Sequence, residues 1–152
     1  MPYVNKLDFS NNRLTELSPF ITNLPALEML DLSNNNLLGL PNEVGLLSNL
    51  KVLRVVGNGI KLLPRTLGLL SGKMQEITFD KENISWPSGQ EVLSMDTGKL
   101  LKFLAAFYRA EQDGVLELMG WNFEAVPDDV FGEPDLHTLK LSHNKIKDIP
   151  DK

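Results

Sequence analysis

The chain repeats itself every 23 residues. Leu7, Leu30 and Leu53 are separated by 23 positions each, and Leu116 and Leu139 keep the same distance. Self-similarity at a fixed period of about 20 to 50 residues is typical of stacked supersecondary units, each too small to bury its own apolar side chains. The sequence therefore predicts a solenoid in which neighbouring coils cover one another.

Each unit contains a short strand followed by an asparagine. Leu30-Asp31-Leu32 alternates apolar and polar residues, which predicts a strand with one buried face. Stacking would pair such strands at about 4.8 Å in a parallel sheet. A buried asparagine offers a donor and an acceptor, so we expect it to satisfy loop backbone groups of its own coil and of the neighbouring coil. The asparagines in this position are Asn12, Asn35, Asn58 and Asn144.

Four copies carry the pattern L-x-x-L-x-L-x-x-N-x-L, with other apolar residues in place of some leucines. The pattern resembles the leucine-rich repeat family. The element Leu-Pro-x-x-apolar-Gly in residues 40–45 and 63–68 is similar to the intracellular subclass that includes Scribble and the plant Ras-group-related repeat proteins. The resemblance implies an α/β solenoid, a fragment of a right-handed horseshoe with a parallel sheet on its concave face. It also implies a scaffold and not an enzyme.

The regular spacing fails in the middle of the chain. Glu82 and Trp121 stand where asparagine is expected, and Leu116 follows Ile77 by 39 residues, which leaves about 16 extra residues. We therefore expect a single domain over 1–152, divided into three parts by its repeats. These are three regular repeats in 4–72, a degenerate repeat with an inserted helix in 73–112, and two further repeats in 113–152, the last of them incomplete.

Apolar residues in the extra segment recur at helical spacing, which predicts a helix over 97–111. Asp96 or Thr97 can cap its start, and Asp113-Gly114 provides a stop. We expect this helix to pack on the array, with a hinge or a second docking surface as the alternative. An asparagine, a proline turn and a helix resemble the closing element of many intracellular arrays. The two repeats after it are similar to the layout of the leucine-rich repeat-containing protein 40 family. The helical apolar residues are Leu100, Phe103, Leu104, Phe107 and Tyr108.

Composition argues against several classes of function. The chain has no cysteine, which excludes disulfides and thiolate chemistry, and its 15 basic and 20 acidic residues give a net charge of −5 without a basic cluster for nucleic acid. The segment Met1–Lys6 does not look like a secretory signal, so we expect a cytoplasmic protein that does not insert into membranes. His137 and His143 lack carboxylates at ligand spacing, and we expect no metal, cofactor or catalytic site. Trp86 and Trp121 fall at repeat positions that face inward, where we expect them to fill space.

The third, fifth and seventh positions of each repeat are predicted to point away from the core, on the concave face. In the second and third coils these positions combine apolar side chains with Arg54, a mixture typical of interface hot spots. Strand propensity alone is the alternative reason for valines there. The predicted partner-binding residues are Met29, Asp31, Val52, Arg54, Val56, Thr78, Glu117 and Met119.

Two classes of function follow from these observations. The first is a module that binds a protein partner on the concave face; the resemblance implies a small GTPase, a phosphatase or a junctional protein. The second is a structural piece that self-associates through uncapped ends or belongs to a longer array, because the coils beginning at Val4 and ending near Pro150 would leave apolar edges exposed. The helix over 97–111 could instead act as an unusual cap.

Overall fold

The computed structural model describes residues 1–150. Successive repeats contribute strands of three residues that pair in parallel, with Leu7, Leu30, Leu53 and Ile77 directly opposite one another. The α/β solenoid with parallel strands is confirmed. The strands are β1 (Lys6–Asp8), β2 (Met29–Asp31), β3 (Val52–Arg54), β4 (Glu76–Thr78), β5 (Val115–Glu117) and β6 (Thr138–Lys140).

The strands of residues 1–150 form two sheets where stacking of all coils predicts one. Strands β1 to β4 make a four-stranded sheet, and β5 pairs with β6. The break coincides with the extra residues, which form the short helix α1 (Gln90–Leu93) and the longer helix α2 (Thr97–Asp113). The start of α2 lies against β4, because the Ile77 N–H donates to Thr97 Oγ1 at 3.4 Å. The inserted helix therefore separates the two sheets.

The core consists of apolar columns that run from coil to coil. Burying one such side chain contributes about 1.5–3 kcal/mol. Because each leucine is covered by the coils on either side, the free energy of folding comes mainly from contacts between repeats. Fully buried side chains include Leu27, Leu30, Leu32, Leu37, Leu50, Leu53, Leu63, Leu67 and Leu70.

Asparagines satisfy backbone groups between the columns, as the repeat pattern predicts. Asn35 Oδ1 accepts from the Leu14 N–H at 2.9 Å, and Asn35 Nδ2 donates to the carbonyl oxygen of Phe9 at 2.9 Å. Asn58 and Asn144 make the equivalent bonds to the coils that precede them. The predicted structural role is confirmed for Asn35, Asn58 and Asn144, since each links two coils. For Asn12 it is wrong, because this exposed side chain donates only to the carbonyl oxygens of Phe9 and Ser10 in its own coil.

The degenerate fourth coil replaces this asparagine with other polar groups. Glu82, in the asparagine position, is exposed. Asp80 Oδ2 instead accepts from the N–H groups of Gly57 and Asn58, at 2.8 and 3.2 Å. Asn83 Nδ2 donates to the Asn58 carbonyl oxygen at 3.2 Å. The backbone at the end of the third coil is thus satisfied although the sequence pattern is broken.

On the side opposite the strands, the regular coils are connected by short 3₁₀ helices, and glycines set how closely these helices pack. A Cβ atom on Gly45 would lie 2.2 Å from the Thr66 carbonyl oxygen, and one on Gly68 would lie 2.3 Å from the Ala105 nitrogen. The glycine of the Leu-Pro-x-x-apolar-Gly element is therefore required where two backbones touch. The 3₁₀ helices are Pro19–Asn23, Asn42–Leu46, Arg65–Leu70, Lys81–Asn83 and Asp128–Gly132.

Helix α2 packs its apolar face against the 3₁₀ helix Arg65–Leu70, as expected of a helix that is part of the core. Asp96 Oδ1 accepts from the Lys99 N–H at 2.9 Å and caps the start, and Gly114, with φ of 68°, ends the helix two residues later than predicted. None of the helices within residues 1–150 has both the length and the apolar character needed to cross a bilayer. The buried residues of α2 are Leu100, Leu101, Phe103, Leu104, Ala105, Phe107 and Ala110.

Five aromatic rings, here called the aromatic seam, join the two parts of the array. Phe103 and Phe107 of α2 lie 4.8 Å apart between ring centroids; Trp86 packs edge-on against Phe107 at 5.7 Å, and Trp121 packs edge-on against Phe103 at 5.8 Å. Trp121 also stacks on Phe123 at 5.9 Å. Both tryptophans are half-buried, so they fill interior space on one side, as predicted, and reach solvent on the other.

Polar contacts also hold the two parts of the array together. Arg65 forms a two-pronged ion pair with Glu133, at 2.9 and 2.6 Å, and its guanidinium carbon lies 4.8 Å from the centre of the Trp86 ring. The Ser88 N–H donates to both carboxylate oxygens of Asp129 at 3.0 Å. These contacts connect residues far apart in sequence, so the fifth coil is attached to the third coil and to the loop before α1.

The outer surface of the first coil is apolar and uncovered. It contains a cavity of about 490 Å³ lined by Val4, Leu7, Leu17 and Leu24, and the Phe20 side chain beside it is 78% exposed. Helix α2 does not act as a cap here, because its main contacts are with the 3₁₀ helix Arg65–Leu70 and with β5. The interpretation of the helix as a cap for the ends of the chain is therefore wrong; α2 closes the four-stranded sheet from within the array.

Replacing Gly68 with alanine tests the contact between backbones. The added Cβ atom would meet backbone atoms of Ala105, which cannot rotate away, so α2 has to shift. We expect Gly68→Ala to lower the free energy of unfolding by about 1–3 kcal/mol, measured by denaturant titration. Gly39→Ala is the matched control, because a Cβ atom there would have no neighbour within 4 Å, and it should change stability by less than about 1 kcal/mol. Equal midpoints for the two variants would contradict this packing.

Asp129 gives the junction a dependence on pH. Burial raises the pKa of Asp129 above its usual 3.8, against the opposing effect of the hydrogen bond from Ser88. The folded state therefore holds this proton more tightly than the unfolded state. Its contribution to stability is present below pH 3.8 and is lost as the pH rises through the folded-state pKa.

Asp129→Asn keeps an oxygen acceptor for the Ser88 N–H and has no charge to bury. We expect the stability of this variant relative to the native chain to increase from acidic to neutral pH, measured by thermal unfolding across that range. Asp148→Asn, at an exposed aspartate, controls for the loss of one negative charge. A difference that stays constant or shrinks with rising pH would contradict the assignment.

Candidate functional site

Six of the predicted partner-binding residues lie together on the outward face of the four-stranded sheet. Met29 is paired with Val52 in the adjacent strand, and Asp31 is paired with Arg54. These four residues are half-buried, as strand residues on a solvated face should be. Val56, just beyond β3, is 39% exposed. The sixth member, Thr78, is the neighbour of Arg54 in β4.

Arg54 is held by two carboxylates. Its Nε–H donates to Glu76 Oε1 at 2.8 Å, and its Nη1 lies 3.9 Å from Asp31 Oδ2. The hydrogen bond and the charge of Glu76 raise the pKa of Arg54 further above its already high value, so the guanidinium is always charged. The side chain is therefore a fixed cation in the middle of the patch, with N–H groups left for a partner.

Sequence reasoning missed the part that Glu76 plays. Glu76 of β4 is paired with Val52 of β3, which is paired in turn with Met29 of β2, so the three side chains face outward in one row. The register of the repeat was enough to place this carboxylate beside Arg54. We define the Arg54 patch as the six residues above together with Glu76.

The aspartates of this face also stabilise the turns that follow the strands. Asp31 Oδ1 accepts from the Ser33 N–H at 2.9 Å, and Asp8 Oδ1 accepts from the Ser10 N–H at 2.8 Å. The hydrogen bonds with Ser10 lower the pKa of Asp8. Asp31 thus has a structural bond in addition to its approach to Arg54, and only part of its carboxylate faces a partner.

The other two predicted residues lie on the second sheet, away from the Arg54 patch. Glu117 is exposed and forms an ion pair with Lys140 of β6 at 2.6 Å. Met119 follows β5 and is 46% exposed. The structure therefore divides the eight predicted residues between the two sheets, because α2 lies between β4 and β5 in the chain.

Helix α2 contributes side chains to the same face of the molecule. Lys99 and Lys102 line a cavity of about 510 Å³ together with Met119 and Trp121. Arg109 lines an adjoining cavity of about 240 Å³ with residues of β5. The apolar periodicity that predicts this helix does not reveal its basic side. The signal was present, since these three basic residues recur near helical spacing on the opposite side.

The histidines and carboxylates of the described residues do not assemble a metal site. Within residues 1–150, no three histidine, aspartate or glutamate side chains come together as a possible metal site. His137 Nδ1 lies 3.1 Å from Thr138 Oγ1, and His143 occupies a turn with φ of 58°. The described groups can bind by ion pairing, hydrogen bonding and apolar contact.

Comparison with known proteins supports the repeat family. Residues 2–60 match the model of the family described as leucine rich repeat. A solved structure of a leucine-rich repeat protein from Leptospira interrogans is similar to this chain, with 27% sequence identity and a TM-score of 0.47. The similarity covers 95% of this chain and 38% of that one, so the chain spans well under half of the length of that protein. No curated protein matches the chain. The resemblance to the intracellular subclass stays a prediction.

Proposed function

We propose that the chain is a non-enzymatic module that binds a protein partner on its concave strand face, through the Arg54 patch. The observation that carries this proposal is the fixed guanidinium of Arg54, which lies among the outward-facing side chains of Met29, Val52 and Val56. Leucine-rich repeat domains generally mediate protein–protein interaction, and residues 2–60 match that family.

The composition of the patch fits the centre of a protein interface. Interface centres are rich in arginine, methionine and aromatic residues and contain few unpaired charges. Here the one cation is already balanced by Glu76 and Asp31, so a partner does not have to neutralise it. Its free N–H groups can still donate to carbonyl or carboxylate oxygens of the partner. Such hydrogen bonds would fix the orientation of a partner that packs on the apolar residues.

The class of partner is proposed from the resemblance of the repeats. A small GTPase, a phosphatase or a junctional protein in the cytoplasm is the expected partner. The exposed face is broad and follows several strands, which suits the surface of a folded protein better than that of a small molecule. No nucleic acid is expected, because the chain carries a net charge of −5.

Self-association through the first coil is a second candidate function. The apolar cavity of about 490 Å³ at its outer surface and the exposed Phe20 favour it. A contact of this kind would place a further coil against β1, where a neighbouring strand could pair. Sedimentation equilibrium over a range of concentrations tests it: a monomer at all concentrations would remove this candidate.

The double variant Arg54→Glu with Val56→Asp tests binding by the Arg54 patch. It places new negative charge beside Asp31 and Glu76 and interrupts the apolar surface. We expect proteins captured from a lysate by the native chain to be lost with this variant, by about tenfold or more in yield.

Arg13→Glu with Leu46→Asp is the matched control, because it replaces an arginine and an aliphatic residue with the same acids at exposed positions away from the patch. Thermal unfolding checks that both variants are folded. Since the new glutamate would be close to two carboxylates, Arg54→Gln with Val56→Ser provides a second variant without that repulsion. Equal capture by the native chain and by both patch variants would rule out the patch.

A further inference from the structure

The first and sixth coils each leave one face uncovered among residues 1–150. Strand β1 pairs only with β2, and strand β6 pairs only with β5. Phe9 of the first coil is 41% exposed, and Leu139 and Ile149 of the sixth coil are 39% and 85% exposed. The two faces therefore expose side chains that the repeat buries wherever a neighbouring coil is present. The buried equivalents in the inner coils are Leu32, Leu53 and Leu63.

The loop hydrogen bonds between coils have complementary free groups at these two faces. Inside the array, the asparagine of one coil accepts from a backbone N–H of the coil before it, as Asn144 Oδ1 does from Phe123 at 3.1 Å. Ile146 provides the equivalent N–H in the sixth coil, where no further coil follows within residues 1–150. Asn12 Oδ1 provides the equivalent acceptor in the first coil, and its amide donates only within that coil. The donor is thus at one face and its acceptor at the other.

We propose that these two faces bind each other, so that the sixth coil of one copy stacks on the first coil of a second copy. The proposal rests on the second candidate function, self-association, and names the surface that meets the first coil. Strand β6 of one copy would pair in parallel with β1 of the next, and the Ile146 N–H would donate to Asn12 Oδ1. The register of the repeat places Thr138, Leu139 and Lys140 opposite Lys6, Leu7 and Asp8.

The sixth coil matches the first coil better than a second first coil does. Two first coils would bring together two Asn12 Oδ1 acceptors without the N–H that the repeat supplies. The sixth coil brings that N–H together with Leu139 and Ile149, whose inner equivalents fill the space between coils. The cavity that they would cover has a volume of about 490 Å³, and its lining includes Val4, Leu7, Phe9, Leu14 and Leu17.

One charged residue is placed favourably by the same register. Lys140 forms an ion pair with Glu117 in the adjacent strand at 2.6 Å, and across the proposed contact it would also approach Asp8. Arg54 lies between two carboxylates of neighbouring strands in the same manner. The strand pairing therefore repeats an arrangement that the four-stranded sheet already contains.

Other charges oppose the contact weakly. Arg13 would lie beside Lys145, and Glu16 beside Asp148. All four side chains are exposed, where the interaction of one pair of charges changes the free energy by about 1 kcal/mol or less. Each copy also has a net charge of −5. Burial of apolar side chains thus has to supply the binding free energy, and added salt should strengthen association by screening the repulsion.

Sedimentation velocity of variants blocked at one face tests the proposal. Phe9→Asp charges the face of the first coil, and Leu139→Asp with Ile149→Asp charges the face of the sixth coil; all three positions are exposed, so the fold should tolerate the changes. Because a head-to-tail contact can be repeated, the native chain should form oligomers larger than a dimer. Each variant alone should associate about tenfold or more weakly, whereas an equimolar mixture of the two should form dimers and nothing larger.

Leu38→Asp with Leu46→Asp is the matched control for the sixth-coil variant. It makes the same change of charge at leucines that are 74% and 58% exposed and lie on inner coils. It should associate as the native chain does, within about twofold. Thermal unfolding checks that every variant is folded.

Engineered cysteines provide a second readout that leaves both apolar faces intact. The chain has no cysteine of its own. In the proposed register Lys6 and Thr138 are paired in adjacent strands, at a separation that a disulfide can span. Under mild oxidation, a mixture of Lys6→Cys and Thr138→Cys chains should yield mainly the mixed disulfide. Lys73→Cys, at an exposed position away from both faces, should yield little with either.

Three results would overturn the proposal. The first is a native chain that stays monomeric at all concentrations. The second is self-association that Leu139→Asp with Ile149→Asp leaves unchanged, and the third is a predominance of disulfides between two Lys6→Cys chains. Either of the last two indicates that two first coils meet.

Partner capture separates this proposal from the proposed function. If the native chain is monomeric while the Arg54 and Val56 variants still lose partner capture, the head-to-tail contact fails and the proposed function stands. If the mixed disulfide and the dimer of blocked variants form while capture survives every change in the Arg54 patch, the contact stands and the patch fails.

Discussion

The close approach of Gly68 to Ala105 of helix α2 is the contact on which the arrangement of this molecule depends. It lets the helix lie against the 3₁₀ helix Arg65–Leu70 with backbone touching backbone. From that position α2 carries Phe103 and Phe107 into the aromatic seam and starts beside β4. The second sheet is attached through the same seam, so its position follows from the packing of one glycine.

Much of the fold could be predicted because it is local and repeated. A period of 23 residues determines which leucines face each other, and it placed the strand centres at Leu30 and Leu53 correctly. The role of the asparagine series could also be predicted, since a buried side-chain amide between coils has to pair with backbone groups. The start and end of α2 followed from Asp96 and Gly114, whose side chain and backbone freedom act within a few residues.

The features that sequence reasoning missed depend on contacts between distant segments. The sheet breaks because α2 docks beside β5, and nothing in the local pattern of the helix shows where it docks. Trp121, in an asparagine position, joins the seam only because Phe103 is brought to it. The site was predictable in part: the strand positions around Arg54 were found, whereas the pairing with Glu76 and the lysines of α2 that lie beside Met119 were overlooked.

The Arg54 patch is compensated in charge and partly apolar, so it suits a folded surface. The helix that interrupts the repeat ends the sheet that carries this patch. A solenoid of uniform coils would present one continuous strand face, whereas this chain divides its strands into two sheets on either side of the break.

Amide hydrogen exchange in the native chain tests most directly whether α2 is a structural part of the array. If the helix joins the two sheets, the amides of Leu100 to Phe107 should be protected as strongly as those of β3, and should exchange through the same opening as β5. Rapid, independent exchange of α2 while β3 and β5 both stay protected would contradict that role.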